Sequence, residues 1–235
     1  MNDQPTPLRC DTADMLVVHN FFRYLFTQAR SLIRDVPDAD TARARLVADH
    51  LREITAALKQ HHTAEDEVLG DVLVTRAPAC ALHVDQMRAQ HAVVAALTEE
   101  LDDLLPAFES TASAPSRQAA TSALDAIRTT LVLHLGAEED DVLPVAAVTL
   151  SQTEWDRIGE AAGGTLPRDR MFVRLGWLLA SMSPRDRAAW LRKNLPLPAR
   201  LAYRAVGQRQ FEADQRRLFP PPALTPPARP GPGER

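Results

Sequence analysis

The stretch HHTAEDEVL at residues 61–69 sets a histidine, His61, four residues before a glutamate, Glu65. HLGAEEDDVL at residues 134–143 repeats the arrangement with His134 and Glu138, again with an acidic tail and a returning Val-Leu. On a helix, residues i and i+4 lie one above the other on one face, so each copy points an imidazole and a carboxylate at the same region of space. A single His-x-x-x-Glu is ordinary in an acidic chain. Two copies with matching tails predict facing helices that hold two metal ions between them, as carboxylate-bridged metal pairs are held in helix bundles.

Working outward, the chain divides at its prolines. A first helix is expected from Thr12 to Arg34, ended by Val36-Pro37, because the residue before proline avoids the helical region. A second is expected from Asp40 to Thr75, and a third from about Pro78 to Leu105, stopped at Pro106. Phe108–Arg117 reads as a loop, and a fourth helix is expected from Gln118 to Leu143. Each has an apolar stripe at helical spacing with one histidine in it. The stripes are Met15, His19, Phe22 and Phe26; then Val47, Ile54, Leu58, His61, Glu65 and Val72; then Val84, Met87, His91 and Val94; then Leu124, Ile127, Leu131, His134, Glu138 and Val142. Polar groups in a core cost free energy unless partnered, so the four histidines need an account.

The numbering gives one. In an up-down bundle, residues equidistant from a turn share a level. The midpoint of His61 and His91 falls at 76, beside Pro78. The midpoint of His91 and His134 lies within the Phe108–Arg117 segment, and that of His19 and His61 at 40, beside Pro37–Asp40. Folding at these turns brings all four imidazoles to one layer. The fold class is therefore all-α, an up-down four-helix bundle over residues 12–149.

Residues 151–218 read as a short-helix extension. Ser151 and Glu154 form a capping-box pattern, Gly163-Gly164 breaks that helix, a second runs from Pro167 to Ala180, Ser183-Pro184 opens a third, and a last spans Ala199–Leu218. Residues 219–235, PPPALTPPARPGPGER from Pro220 on, are a proline-rich tail expected to be disordered.

The net charge of -4 conceals an asymmetry: residues 1–150 carry 12 basic and 23 acidic side chains, residues 151–235 carry 15 and 8. The basic arginines are scattered rather than set in one stripe, so nucleic acid is not expected as a partner. The extension is expected to dock on the acidic bundle of the same chain or of a second copy, as in a homodimer. Neither a signal core nor a membrane-length apolar run occurs, and Cys10 and Cys80 fit no disulfide framework. A cytoplasmic protein with reduced thiols and no membrane partner is expected.

His19, His61, Glu65, His91, His134 and Glu138 are six candidate metal ligands. Imidazole and carboxylate suit iron, with manganese or zinc also accepted, and no thiolate is offered. With both glutamates bridging and two histidines on each ion, about four protein donors reach each metal, below the octahedral six, so positions stay open. Open positions beside a redox pair imply a small diatomic or peroxide ligand. Of the flanking acids Asp66, Glu67, Glu139, Asp140 and Asp141, some are expected to orient imidazoles and most to be solvated.

The ordered set His19 … His61-x-x-x-Glu65 … His91 … His134-x-x-x-Glu138 resembles the hemerythrin-like HHE cation-binding family, over about residues 12–149. Residues 151–218, with Trp155, Gly163-Gly164 and Leu175–Trp177, look like the extension of some actinobacterial members. The resemblance implies two non-heme iron ions in a four-helix bundle. The chain departs from the oxygen-carrying members. Those pair two histidines on the third helix, whereas here Met87 stands four before His91; and they place an aspartate five after the fourth-helix histidine, whereas here Glu138 comes at four and Glu139 at five. A missing ligand favours reaction over oxygen carriage. Three functions follow: binding or reducing dioxygen, hydrogen peroxide or nitric oxide; oxidising an organic substrate beneath the C-terminal helices; or sensing iron or oxygen without catalysis. His50 reads as a core or boundary residue, His62 as a surface or supporting residue about 100° from His61, His83 as exposed, and Tyr24 as no ligand.

Overall fold

A computed structural model of the chain describes residues 10–163 and 169–220. Among them there are helices and no strands. The bundle is made of α1 (Ala13–Arg34), α2 (Thr41–Ala64), α4 (Ala81–Thr111) and α5 (Ala114–Ala137). Two of these continue past the site. α2 passes through a π-helical segment, Glu65–Gly70, into α3 (Asp71–Arg76), and α5 through a second, Glu138–Val142, into α6 (Leu143–Thr149). α1 packs on α2 and α5, and α4 packs on α2 and α5, so the rods form a closed ring of antiparallel neighbours. No helix among the described residues is long and apolar enough to cross a membrane.

Local chemistry accounts for most boundaries. The Asp40 side chain accepts from the Arg43 backbone N–H at 2.9 Å and caps α2. Between α4 and α5 the connection is far shorter than the expected loop over Phe108–Arg117. α4 runs through Pro106 to Thr111, Ala112 turns the chain with φ of 44°, and Ser113 caps α5, which carries Pro115 in its first turn. Pro106 fails to stop the helix because it lies on the exposed face, where water serves the carbonyl it frees. Leu105 and Phe108, both fully buried, hold the following turn in place. Exposed Ala39 is the second non-glycine residue with positive φ, 62°, and its N–H reaches the Ala112 carbonyl at 3.4 Å, joining the two turns at this end.

The π segments shift the buried face. An uninterrupted α2 would bury Val72. The extra residue in the turn instead buries Leu69 and Leu73 completely and leaves Val72 half-exposed.

The extension comprises α7 (Gln152–Gly163), α8 (Met171–Ala180), α9 (Pro184–Asn194), α10 (Leu197–Ala202) and α11 (Gln208–Leu218), with a π-helical segment, Tyr203–Gly207, between the last two. The capping box forms: Ser151 Oγ accepts from Glu154 N–H at 3.4 Å and Ser151 N–H donates to Glu154 Oε2 at 3.0 Å. Gly164, Pro167 and the tail from Pro221 on lie outside the described residues.

These helices share the bundle's core rather than building their own. Trp155 and Ile158 of α7 pack with Met15, Leu69 and Val84, and Val173 and Trp177 of α8 join the main core. Trp177 is the hub: its ring lies 5.6 Å from that of His50 and 5.2 Å from Phe211 of α11, and its Nε1–H donates to Asp214 at 2.9 Å. α11 sits so close to α8 that a Cβ on Gly176 would overlap Phe211. Charge assists the docking. Arg170 bridges Glu53 of the bundle at 2.6 Å and Asp214 at 2.8 Å, and Lys193 meets Asp11 at 2.6 Å. Arg76–Glu154 at 2.6 Å runs with the opposite polarity, base on the bundle and acid on the extension.

Candidate metal centre

Each bundle helix brings donors to one level. α1 supplies His19, α2 supplies His61 and His62, α4 supplies His91 and α5 supplies His134, while Glu65 and Glu138 are the first residues of the two π segments. All seven are buried. Imidazole centroids lie 5.5 Å apart for His19–His61, 4.1 Å for His62–His91 and 4.6 Å for His91–His134. A π turn at each glutamate widens the helix where its carboxylate enters the core, a placement common at functional sites.

Both carboxylates span two groups of histidines. Glu65 Oε1 lies 3.1 Å from His61 Nε2, and its Oε2 lies 3.5 Å from His91 Nε2. Glu138 Oε2 lies 3.4 Å from His19 Nε2 and 3.9 Å from His134 Nε2. Two donor clusters result. His19, His61 and Glu65 offer atoms all within 4.8 Å of one another, and so do His62, Glu65, His91 and His134.

Three imidazoles are oriented from outside the cluster. His91 Nδ1 donates to Asp66 at 2.9 Å, His19 Nδ1 to Glu139 at 2.8 Å, and His134 Nδ1 to the Gln90 side-chain oxygen at 3.1 Å. Arg23 holds Glu139 in turn at 2.7 Å. With the proton on Nδ1, the neutral ring presents a bare lone pair at Nε2. The bare Nε2 atoms of His91 and His134 then face each other at 3.1 Å. The Nε2 atoms of His19, His61 and His62 and all four oxygens of Glu65 and Glu138 are buried with no hydrogen-bond partner. Such a layer of unpartnered nitrogens and oxygens is satisfied by cations, and imidazole with carboxylate fits iron, manganese or zinc.

The electrostatics agree. Burial, then the charge of Glu138, pushes the Glu65 carboxyl well above its usual range, and burial likewise raises Glu138. Burial drives His61 and His62 well below the ordinary histidine value, and takes His134 down to about 3 with His91 adding to the effect. Glu139 is held at about 2: burial alone would raise it, and hydrogen bonds from His19 and Arg23 more than offset that.

All six sequence-predicted ligands, His19, His61, Glu65, His91, His134 and Glu138, lie in this one cluster. Sequence reasoning missed His62, placed at the surface or in support yet stacked on His91 and 5% exposed. The signal existed: Leu51, Thr55, Leu58 and His62 form a second buried stripe on the flank of α2 that faces α4. Gln90 was missed as well. Of the flanking acids, Asp66 and Glu139 orient ligands, while Glu67, Asp140 and Asp141 are exposed. Met87 is 2% exposed and packs among apolar side chains. His83 is half-buried rather than exposed, beside a small cavity that also touches Glu138. His50 lies against Trp177, away from the cluster, as a core residue. Tyr24 also stands by Trp177.

A family model described as the hemerythrin HHE cation binding domain matches residues 11–146. No curated protein and no solved structure matches the chain.

Proposed function

We propose a function from one premise: the chain belongs to the hemerythrin HHE cation-binding family. Its buried cluster is the family's cation site, and the reading is that it holds two non-heme iron ions and binds or reduces a small oxidant: dioxygen, hydrogen peroxide or nitric oxide. The observation that carries the reading is the layer of buried imidazole nitrogens and carboxylate oxygens with no hydrogen-bond partner. An iron pair there supplies open coordination positions and electrons for such oxidants.

The chain's own residues do the rest. Glu65 and Glu138 reach one histidine in each group and so tie the two positions together. Asp66, Glu139 and Gln90 keep protons on Nδ1 and the rings aimed inward. Phe22 packs its ring 5.1 Å from that of His61. Both cysteines are free, in keeping with a reducing cytoplasm. Purified protein is expected to hold about two iron per chain, as a dinuclear bundle site requires, and to consume peroxide or bind nitric oxide. His61→Ala or Glu138→Ala protein that keeps full iron would refute the assignment.

One observation favours a second reading, oxidation of an organic substrate. A cavity of about 480 Å³ between the extension and the bundle reaches His61. Oxygen consumption that depends on an added organic compound separates this reading from the first.

A further inference from the structure

The same cavity has an apolar wall made by Val18 and Phe22 of α1, Trp155 and Ile158 of α7, and Leu175 and Leu178 of α8. Its volume lies within the ordinary range for small-molecule sites. Two donors interrupt the apolar wall. Arg174 borders it, and among the described residues its side chain makes no hydrogen bond or ion pair, while neighbouring Glu53 is taken up by Arg170. Trp190 also lines the cavity, and its indole N–H is buried without a partner. The one acid in the lining, Asp14, already accepts from the Trp155 indole at 2.9 Å and from the Met15 backbone at 3.0 Å. Burial depresses the Arg174 guanidinium, with Glu53 acting the other way, so an added anion would relieve it. Arg174 and Trp190 thus leave donor capacity unused in an apolar surround.

The lining also has a direction. Arg174 borders a second, small cavity shared with Glu53 and Ala57, whereas Ala57 and His61 line the large one. Glu53 and His61 are eight residues apart on α2, about 12 Å along its axis. A molecule with its head at Arg174 would extend its body toward the ring of a candidate metal ligand.

We propose that this cavity binds a single-chain aliphatic carboxylate, its head group on Arg174 and Trp190 and its chain running toward His61. The binding itself is independent of the metal reading; the approach of the chain to the metals rests on it.

The test is calorimetric titration of the full chain, metal-free and metal-loaded, with decanoate, and with decylammonium and decanol as head-group controls. Decanoate is expected to bind one per chain in both forms, with the controls at least tenfold weaker. Arg174→Gln should weaken decanoate by about ten- to a hundredfold, the loss expected for a charge-assisted hydrogen bond, and Arg174→Lys should recover part of it. Ala162→Phe, which fills the cavity from α7, should abolish binding. In metal-loaded protein, decanoate but not acetate should shift the metal absorption bands. No decanoate binding, equal binding of the three head groups, or full affinity in Arg174→Gln would overturn the proposal, and unshifted bands would overturn the orientation. Should Arg174→Gln fail to fold, the head-group series and Ala162→Phe decide. A protein that never loads metal yet binds decanoate sinks the metal reading and leaves the cavity standing.

Discussion

Replacing Glu65 with leucine should make the metal-free protein more stable and the metal-loaded protein less so. Glu65 is fully buried, and neither of its oxygens has a hydrogen-bond partner. A buried polar group left unsatisfied costs about 1–3 kcal/mol, and exchange for an apolar side chain of similar volume removes that cost. Glu138 should benefit too, because the charge of Glu138 is itself one cause of the raised Glu65 carboxyl. Metal-free Glu65→Leu should therefore gain about 1–3 kcal/mol, or about 2–4 °C in Tm per kcal/mol for a chain of this size. Metal reverses the order. A ligand that binds only the folded state at a hundredfold over its Kd adds about 2.7 kcal/mol per site. Glu65 belongs to both donor clusters, so the variant should lose most of this increment at each. Urea unfolding followed by circular dichroism, in chelator and with excess ferrous iron without oxygen, gives all four stabilities. Metal-free Glu65→Leu that is destabilised by more than about 1 kcal/mol, or a variant that retains the full metal increment, would refute the claim that this carboxylate is held for a cation.

Four further outcomes are expected. His62→Leu should lower the metal content from two to about one per chain while His50→Leu leaves it unchanged, because only His62 belongs to a donor cluster; metal analysis decides. Glu154 is held at about 2 by its hydrogen bonds from Arg76 and then Ser151. Because its folded value is depressed, the stability it contributes is present above the unfolded value near 4.5 and fades as pH falls toward 2, so acid unfolding of Glu154→Gln should lack that part of the slope. Gly176→Ala should destabilise by about 1–3 kcal/mol through overpacking against Phe211, seen as earlier proteolysis in α11. Ala39→Gly, at an exposed residue with positive φ, should raise stability by up to about 1 kcal/mol in chemical denaturation.

Much of this molecule was legible as periodicity and punctuation. Four rods, their antiparallel order and the level at which four histidines meet follow from prolines, caps and the 3.6-residue repeat. Three kinds of information were not local. Pro106 reads as a stop, but its effect depends on which face it occupies, and that is fixed by the burial of Leu105 and Phe108. His62 falls outside the single stripe that periodicity gives α2, whereas a helix inside a ring of four touches two neighbours and buries two flanks. An α-helical repeat carried across residues 65–70 puts Val72 in the core. A π turn gives no signal in hydrophobic spacing until the phase beyond it is known. The oriented acids show the same limit: Asp66 and Glu139 cannot be told from Glu67, Asp140 and Asp141 by composition, only by which of them lies within reach of a ring nitrogen.

The phase shift beyond each site glutamate has a consequence for how the chain can change length. Removing one residue from Glu65–Gly70 would restore ordinary winding, keep His61 and Glu65 where they are, and bring Leu73 into the position that an uninterrupted helix buries, so it would stay in the core. Everything distal to the centre can thus keep its register with or without the surplus residue, which alters only the turn that carries the glutamate. Insertions and deletions should be tolerated beside Ser113, at the turn between α4 and α5, whereas in these two spans a deletion would cost the widened turn at the glutamate and a further insertion would rotate the core beyond it toward solvent.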